Sequence, residues 1–191
     1  MTSSASGFDW GDELPTLHGD GVTLRALDEG DVDSLFEIFG DAEVMRYWSR
    51  APYASLAEAR GLLDHIQDSF ATRTLFQWGI VPENTERVVG TCTLFHHARE
   101  HRRCEVGFAL GRAWWGRGTA SRAVGRVIRF AFEALDVHRI EADADPRNER
   151  SLRLLEGLGF RREGLLRERY HVGGEIQDAV VLGLLRREAR L

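Results

Sequence analysis

The run Trp115-Gly116-Arg117-Gly118-Thr119-Ala120-Ser121 constrains the centre of this chain more than any other segment. Ahead of it lies a strand-like alternation, Cys104-Glu105-Val106-Gly107-Phe108-Ala109-Leu110. Behind it, from about Ser121 to Leu135, Val124, Val127, Ile128, Ala131, Phe132 and Leu135 recur on one helical face. A glycine-rich turn between a strand and a helix leaves the first N–H groups of the helix without partners. The helix dipole adds partial positive charge at the same place. Together these make an anion site suited to phosphate. Gly116 and Gly118 have no Cβ, so the backbone can approach a ligand closely. The expected ligand therefore carries phosphate.

The flanking segments set the architecture. Val22 to Leu27 alternates as a strand, and Asp28 caps a helix with Val32, Leu35, Phe36 and Phe39 at helical spacing. Ser55 with Glu58 three residues on predicts a second capped helix, ending near Ala71. Strands follow at Phe76 to Val81, Val88 to Phe95 and Arg103 to Leu110, with a turn over Pro82 to Glu86. After the glycine turn and its helix come a strand from His138 to Ala144 and a helix from Asn148 to Leu158, stopped by Gly159. Phe160 to His171 and Ile176 to Leu185 close the chain as a strand pair around Gly173-Gly174. The expected fold is α/β of the α+β kind: a single mixed, mostly antiparallel sheet of six to seven strands with helices on both faces. Residues 1–15 read as a flexible tail that Phe8, Trp10 and Leu14 could pin to a surface; residues 16–191 read as one domain.

The net charge of −5 argues against a general nucleic-acid binder, and the arginine clusters (Arg161, Arg162, Arg167, Arg169; Arg186, Arg187, Arg190) read as solvated faces. No apolar run is long enough to span a bilayer, so no membrane partner is expected. Cys92 and Cys104 read as free buried thiols on neighbouring strands, in keeping with a cytoplasmic setting. His97 and His101 have the spacing of helical metal ligands, but the segment reads as a hairpin loop, and no metal is expected. A homodimer is left open.

Gly116-x-Gly118-x-x-Ser121 partly imitates a dinucleotide fingerprint, with Glu141, Asp143 and Asp145 near the acidic position. Ser121 replaces the third glycine, the link from Leu110 is too long, and hairpins stand where a βαβ unit should begin. The turn also lacks the Lys-Ser/Thr of a P-loop.

From about Leu17 to Glu188 the chain resembles the GCN5-related N-acetyltransferase superfamily, and within it the branch that acetylates ribosomal-protein N-termini. Four blocks carry the likeness: Leu24-Arg25-Ala26-Leu27 with Asp31; Glu105 to Leu110 leading into Trp114 to Ala120; Asn148-Glu149-Arg150-Ser151 with Leu158-Gly159-Phe160; and Gly174 with Asp178 ahead of Leu184 to Glu188. The resemblance implies acetyl-CoA as acetyl donor, an amine acceptor (a protein N-terminus or a small molecule) and a splayed parallel strand pair. It implies that the backbone of Phe108, Ala109 and Leu110 pairs with the pantetheine amides, as an added strand would. The pyrophosphate would rest on N–H groups of Gly116, Arg117, Gly118, Thr119, Ala120 and Ser121. Trp115 takes the family's Gln/Arg slot, Arg122 stands where glutamate is frequent, and Asn148 matches a position that contacts the cofactor or fixes the catalytic wedge.

Acetyl transfer to an amine needs a proton acceptor, a donor for the developing oxyanion, an acid for the thiolate, and two substrates held together. Glu105 is the expected base, acting through water; pairing with Arg103 is the equally weighted structural account. The resemblance implies an oxyanion donor near Ala109. Leu155 fills the slot of the tyrosine acid found in many members, so the acid falls to Ser151, with Tyr170 as the spare candidate. Ser151 could equally bond its own helix backbone. Tyr47, Trp48, Phe76 and Trp78 fit an acceptor pocket and core packing equally well. Direct attack in a ternary complex is the expected route. Its rivals are an antibiotic-modifying acetyltransferase and a non-catalytic acyl-CoA-binding module.

Overall fold

A computed structural model describes residues 13–190. Thirteen regular elements follow one another: β1 (Leu17–Gly19), β2 (Val22–Arg25), α1 (Val32–Phe39), α2 (Ala42–Met45), α3 (Leu56–Ala71), β3 (Leu75–Pro82), β4 (Gly90–Ala98), β5 (Arg103–Leu110), α4 (Thr119–Glu133), β6 (Arg139–Ala144), α5 (Glu149–Gly157), β7 (Arg161–Val172) and β8 (Glu175–Leu185). The strands form one sheet in the order β1-β2-β3-β4-β5-β6-β8-β7. Every neighbouring pair is antiparallel except β5 and β6.

The sheet has eight strands, against the expected six to seven. The addition is β1, which pairs with β2 through a two-residue turn, Asp20-Gly21, with φ of 55° and 77°. Asp-Gly with both φ positive is a strong hairpin signal. Of the expected tail, Phe8 and Trp10 lie outside the described residues. Leu14 packs against the larger core cluster, and the Pro15 carbonyl accepts a 2.8 Å bond from the Trp78 indole.

Helix entry follows local chemistry. Ser55 Oγ accepts the Glu58 N–H at 3.4 Å and starts α3. Asp28 caps a short 3-10 turn, Glu29–Asp31, rather than α1 itself. Asp31 returns a bond to the Asp28 N–H and binds Arg25 through both carboxylate oxygens at 2.7 and 2.8 Å. α4 begins at Thr119, two residues ahead of its expected start.

Two apolar clusters sandwich the sheet. On one face Val124, Val127 and Ile128 of α4 and Leu152 and Leu155 of α5 pack with Trp78, Ile80, Cys92, Leu94, Cys104, Val106, Leu182 and Leu184. On the other face Leu35, Ile38 and Phe39 of α1 and Ala59, Leu63 and Ile66 of α3 pack with Leu27, Val81, Val88 and Ala109. Phe76 and Trp78 are fully buried in the first cluster. Both cysteines are free and buried; burial pushes the Cys104 thiol up to about 12, and raises Cys92 as well.

β5 and β6 are in register over three residues only, Arg103 with Arg139, Cys104 with Ile140, and Glu105 with Glu141. Beyond Glu105 the two strands have no paired residues, and the sheet opens at its middle. The closed end is bound by charge: Glu141 accepts from Arg103 at 2.8 Å and from Arg139 at 2.7 Å, and Arg139 also bonds Glu163 of β7.

Candidate active site

The open edge of β5 leads through a 3-10 turn, Arg112–Trp114, into the glycine turn. A cavity of about 750 Å³ occupies this region, lined by Phe108, Ala109 and Leu110, by Trp114 to Gly116 and Gly118 to Ser121, and by Arg147 to Ser151 with Arg153 and Leu154. Glu43, Val44, Tyr47 and Trp48 line its α2 side.

At the turn, Gly116 and Gly118 both have φ of 74°, a left-handed conformation that glycine adopts without strain. A Cβ at Gly116 would meet nothing within 4 Å, so conformation and not crowding calls for glycine there. Gly118 is the N-cap of α4 and offers no side chain to cap it. The first intrahelical bond is Arg122 N–H to the Gly118 carbonyl at 3.1 Å. The N–H groups of Thr119, Ala120 and Ser121 precede that bond and lack intrahelical acceptors, at the positive end of a 15-residue helix. A Cβ at Gly118 would come within 3.2 Å of the Arg122 guanidinium, which therefore folds back over the turn. Arginine at this position adds positive charge to the cradle.

The β4–β5 register decides which amides face the gap. Gly90 is the partner of Leu110, and the Gly111 N–H bonds the Val89 carbonyl at 2.8 Å. In an antiparallel ladder this phase makes Ala109 and Thr91 a hydrogen-bonded pair. The Ala109 carbonyl indeed lies 2.5 Å from where a Cβ on Gly90 would sit. Ala109 therefore spends its N–H and carbonyl on β4. The groups aimed at the gap belong to Phe108 and Leu110, so of the three residues expected to pair with the pantetheine Ala109 is withdrawn, its backbone being bonded to β4. The Leu110 carbonyl is occupied by the Trp115 indole N–H at 2.7 Å. That bond folds the turn back against the strand, and the Arg150 guanidinium lies 4.8 Å over the Trp115 ring.

The expected acid–base residues fall in three places. Ser151 lines the cavity, on the first turn of α5, and its N–H donates to Asn148 Oδ1 at 3.2 Å. Asn148 is thus the N-cap of α5 and also lines the cavity. Leu155 is buried in the core. Glu105 lies outside the cavity lining, at the last paired position before the gap, and points to the α1–α3 face with Gly107 and Ala109. It is not paired with Arg103, which binds Glu141. Its partner is His96, whose Nδ1 lies 2.9 Å from Glu105 Oε1. Tyr170 is also outside the cavity; its hydroxyl donates to Asp143 Oδ2 at 2.5 Å, and burial together with Asp143 raises its pKa. Asp178 Oδ1 accepts the Glu168 N–H at 2.8 Å and secures an irregularity in β7. Among the described residues, no group of three or more His, Cys, Asp and Glu is placed to hold a metal ion. No helix among them is long and apolar enough to cross a membrane.

A strand edge opened toward a gap and an uncapped helix N-terminus at its end fit a ligand that is amide-rich along one part and phosphorylated at the next. The family described as Acetyltransferase (GNAT) domain matches the chain over residues 22–161. The chain belongs to this family, and it is an N-acetyltransferase. It is 35% identical to the uncharacterized N-acetyltransferase p20 of Bacillus licheniformis over 92% of this chain and 98% of that protein. It is 29% identical to the spermidine N(1)-acetyltransferase of Escherichia coli K12, over 87% and 86% of the two chains. It is also 29% identical to the [ribosomal protein uS5]-alanine N-acetyltransferase of the same organism, over 69% and 68%. Among solved structures, a GNAT-family acetyltransferase from Bacillus anthracis superposes with a TM-score of 0.81 at 22% identity, covering 91% of this chain and 100% of that one. The Vibrio cholerae spermidine N-acetyltransferase, solved with CoA and spermine, gives 0.78 at 24% identity, covering 89% and 98%. The fold is that of the acyl-CoA N-acyltransferases, and the family's acetyl donor is acetyl-CoA.

Proposed function

We propose that this N-acetyltransferase moves acetyl to a primary amine by direct attack, with both substrates bound at once. The observation that carries the reading is the meeting of the open β5 edge at Phe108 and Leu110 with the uncapped start of α4. Acetyl-CoA, when bound, supplies the acetyl group as an activated thioester. The pantetheine amides would be held by Phe108 and by the Leu110 N–H, and the diphosphate by the N–H groups of Gly116 to Ser121, with Arg122 beside them. Trp115 and Asn148 shape the walls of that channel.

In this reading the acceptor arrives on the α1–α3 face. Glu105 takes up the ammonium proton through a water, leaving a neutral amine. The Phe108 N–H stabilises negative charge on the acetyl oxygen, which leaves the Phe108 carbonyl and the Leu110 N–H to the pantetheine. Ser151 donates a proton toward the leaving sulfur; Tyr170, kept protonated by its raised pKa, is the second candidate for that role. The acceptor class is a primary amine of the kinds named for the relatives, a polyamine or the N-terminus of a ribosomal protein.

The test is release of free CoA thiol by the purified chain with acetyl-CoA and spermidine, peptides beginning with Ala or Ser, free amino acids, or an aminoglycoside. Intersecting initial-velocity patterns are expected, and Glu105→Gln and Ser151→Ala lower kcat about 100-fold or more while CoA still binds. Full turnover in both variants removes these assignments. A preference for the aminoglycoside selects the antibiotic-modifying reading. No turnover with any amine, with CoA binding intact, selects an acyl-CoA-binding module instead.

A further inference from the structure

We infer that His96 is a positioning residue for the acetyl-transfer base: it fixes one oxygen of Glu105 and leaves the other free for the proton. This rests on the reading of Glu105 as base.

Three independent features converge on His96. The first is the direct contact of 2.9 Å between Nδ1 and Glu105 Oε1. An ionised carboxylate only accepts, so the imidazole holds its proton on Nδ1. Nε2 then carries the lone pair. The second is backbone conformation. His96 has φ of 48°, the left-handed region that a residue with a side chain seldom occupies. It sits in the irregular stretch of β4, between the pairs Phe95 with Glu105 and Ala98 with Arg103. Bulges of this kind re-aim side chains and recur beside active sites, and unusual φ values concentrate there too. The third is location. Glu105 is the last paired residue before the gap, and Gly107 follows it on the same face of β5. The carboxylate therefore stands at the apex of the opening, with no side chain beyond it until Ala109.

On β5, Arg103 is tied to Glu141, and on β6, Glu141 is shared between Arg103 and Arg139. His97 and Arg99 follow on β4 and its 3-10 turn; burial, then Arg99, lowers the pKa of His97. Glu105 thus has one ring as its hydrogen-bond partner, and that ring is 70% exposed.

The proton balance is simple. The ammonium loses one proton, the free oxygen of Glu105 receives it by way of a water, and the Nδ1–H bond to the other oxygen holds the carboxylate's plane.

Three variants test this. His96→Ala should lower kcat about ten-fold with the KM for acetyl-CoA and the CoA-induced thermal shift unchanged, the loss of one charge-assisted hydrogen bond. His96→Gln, which can still donate a hydrogen bond, should restore most of kcat. Wild-type kcat in both variants, or a His96→Gln as slow as His96→Ala, overturns the role of His96. Glu105→Gln separates the two claims. Should it abolish turnover while the His96 variants stay silent, only the present inference falls; should it leave turnover intact, the base assignment falls with it.

Discussion

At the scale of single residues, Gly118 carries the most weight. Its φ of 74° strains any other side chain, and a Cβ there would press on the Arg122 guanidinium at 3.2 Å. Gly118→Val should cost about 1 kcal/mol or more of backbone strain. It should also abolish the thermal shift that CoA gives, because the turn that aims the amides is lost. Isothermal titration with CoA checks the second part, and retained affinity would contradict the phosphate cradle. His96 shows the limit of reading residues singly. Its neighbours His97 and His101 suggest a metal motif by spacing, whereas its bond to Glu105 arises from a β4 irregularity that no local pattern announces.

At the scale of elements, most boundaries were legible because each had a chemical cause in the chain. Ser55 and Glu58 begin α3, and Asn148 begins α5 through its own oxygen. The hairpin β1–β2 was equally written in Asp20-Gly21, but three residues of β1 give too short an alternation to stand out. The phase of β5 was not legible. Alternation shows which side chains share a face, while the direction of each amide depends on the partner strand, and only the bond from Gly111 to Val89 fixes it. The entry to α5 also depends on charge. Asp145 is buried and binds Arg147 at 2.6 and 2.9 Å and the Arg147 backbone N–H at 2.8 Å. Burial alone would raise its pKa, but the bonds from Arg147 prevail and hold it below the usual value. A depressed folded pKa stabilises the fold above the unfolded value near 4 and is lost as pH falls through the folded one. Asp145→Asn should cost about 2 kcal/mol at pH 7, and the difference from wild type should shrink in denaturant titrations near pH 3.

At the scale of the whole molecule, the largest break in the eight-stranded sheet is the loss of pairing past the third β5–β6 pair. A ligand lying along Phe108 and Leu110 would supply the missing hydrogen bonds between the two halves. Acetyl-CoA at 100 times its dissociation constant should then stabilise the fold by about 2.7 kcal/mol. In hydrogen exchange, the Phe108 and Leu110 amides should gain protection, while Ala109, already bonded to β4, should change least. Equal changes at all three would refute the phase assigned to β5. Trp115 packs against both apolar clusters and is anchored by its own N–H to the end of β5. An indole wedged between the two clusters and lining the cavity is an intrinsic optical probe, and its emission should respond to whatever fills the cleft without any label being attached.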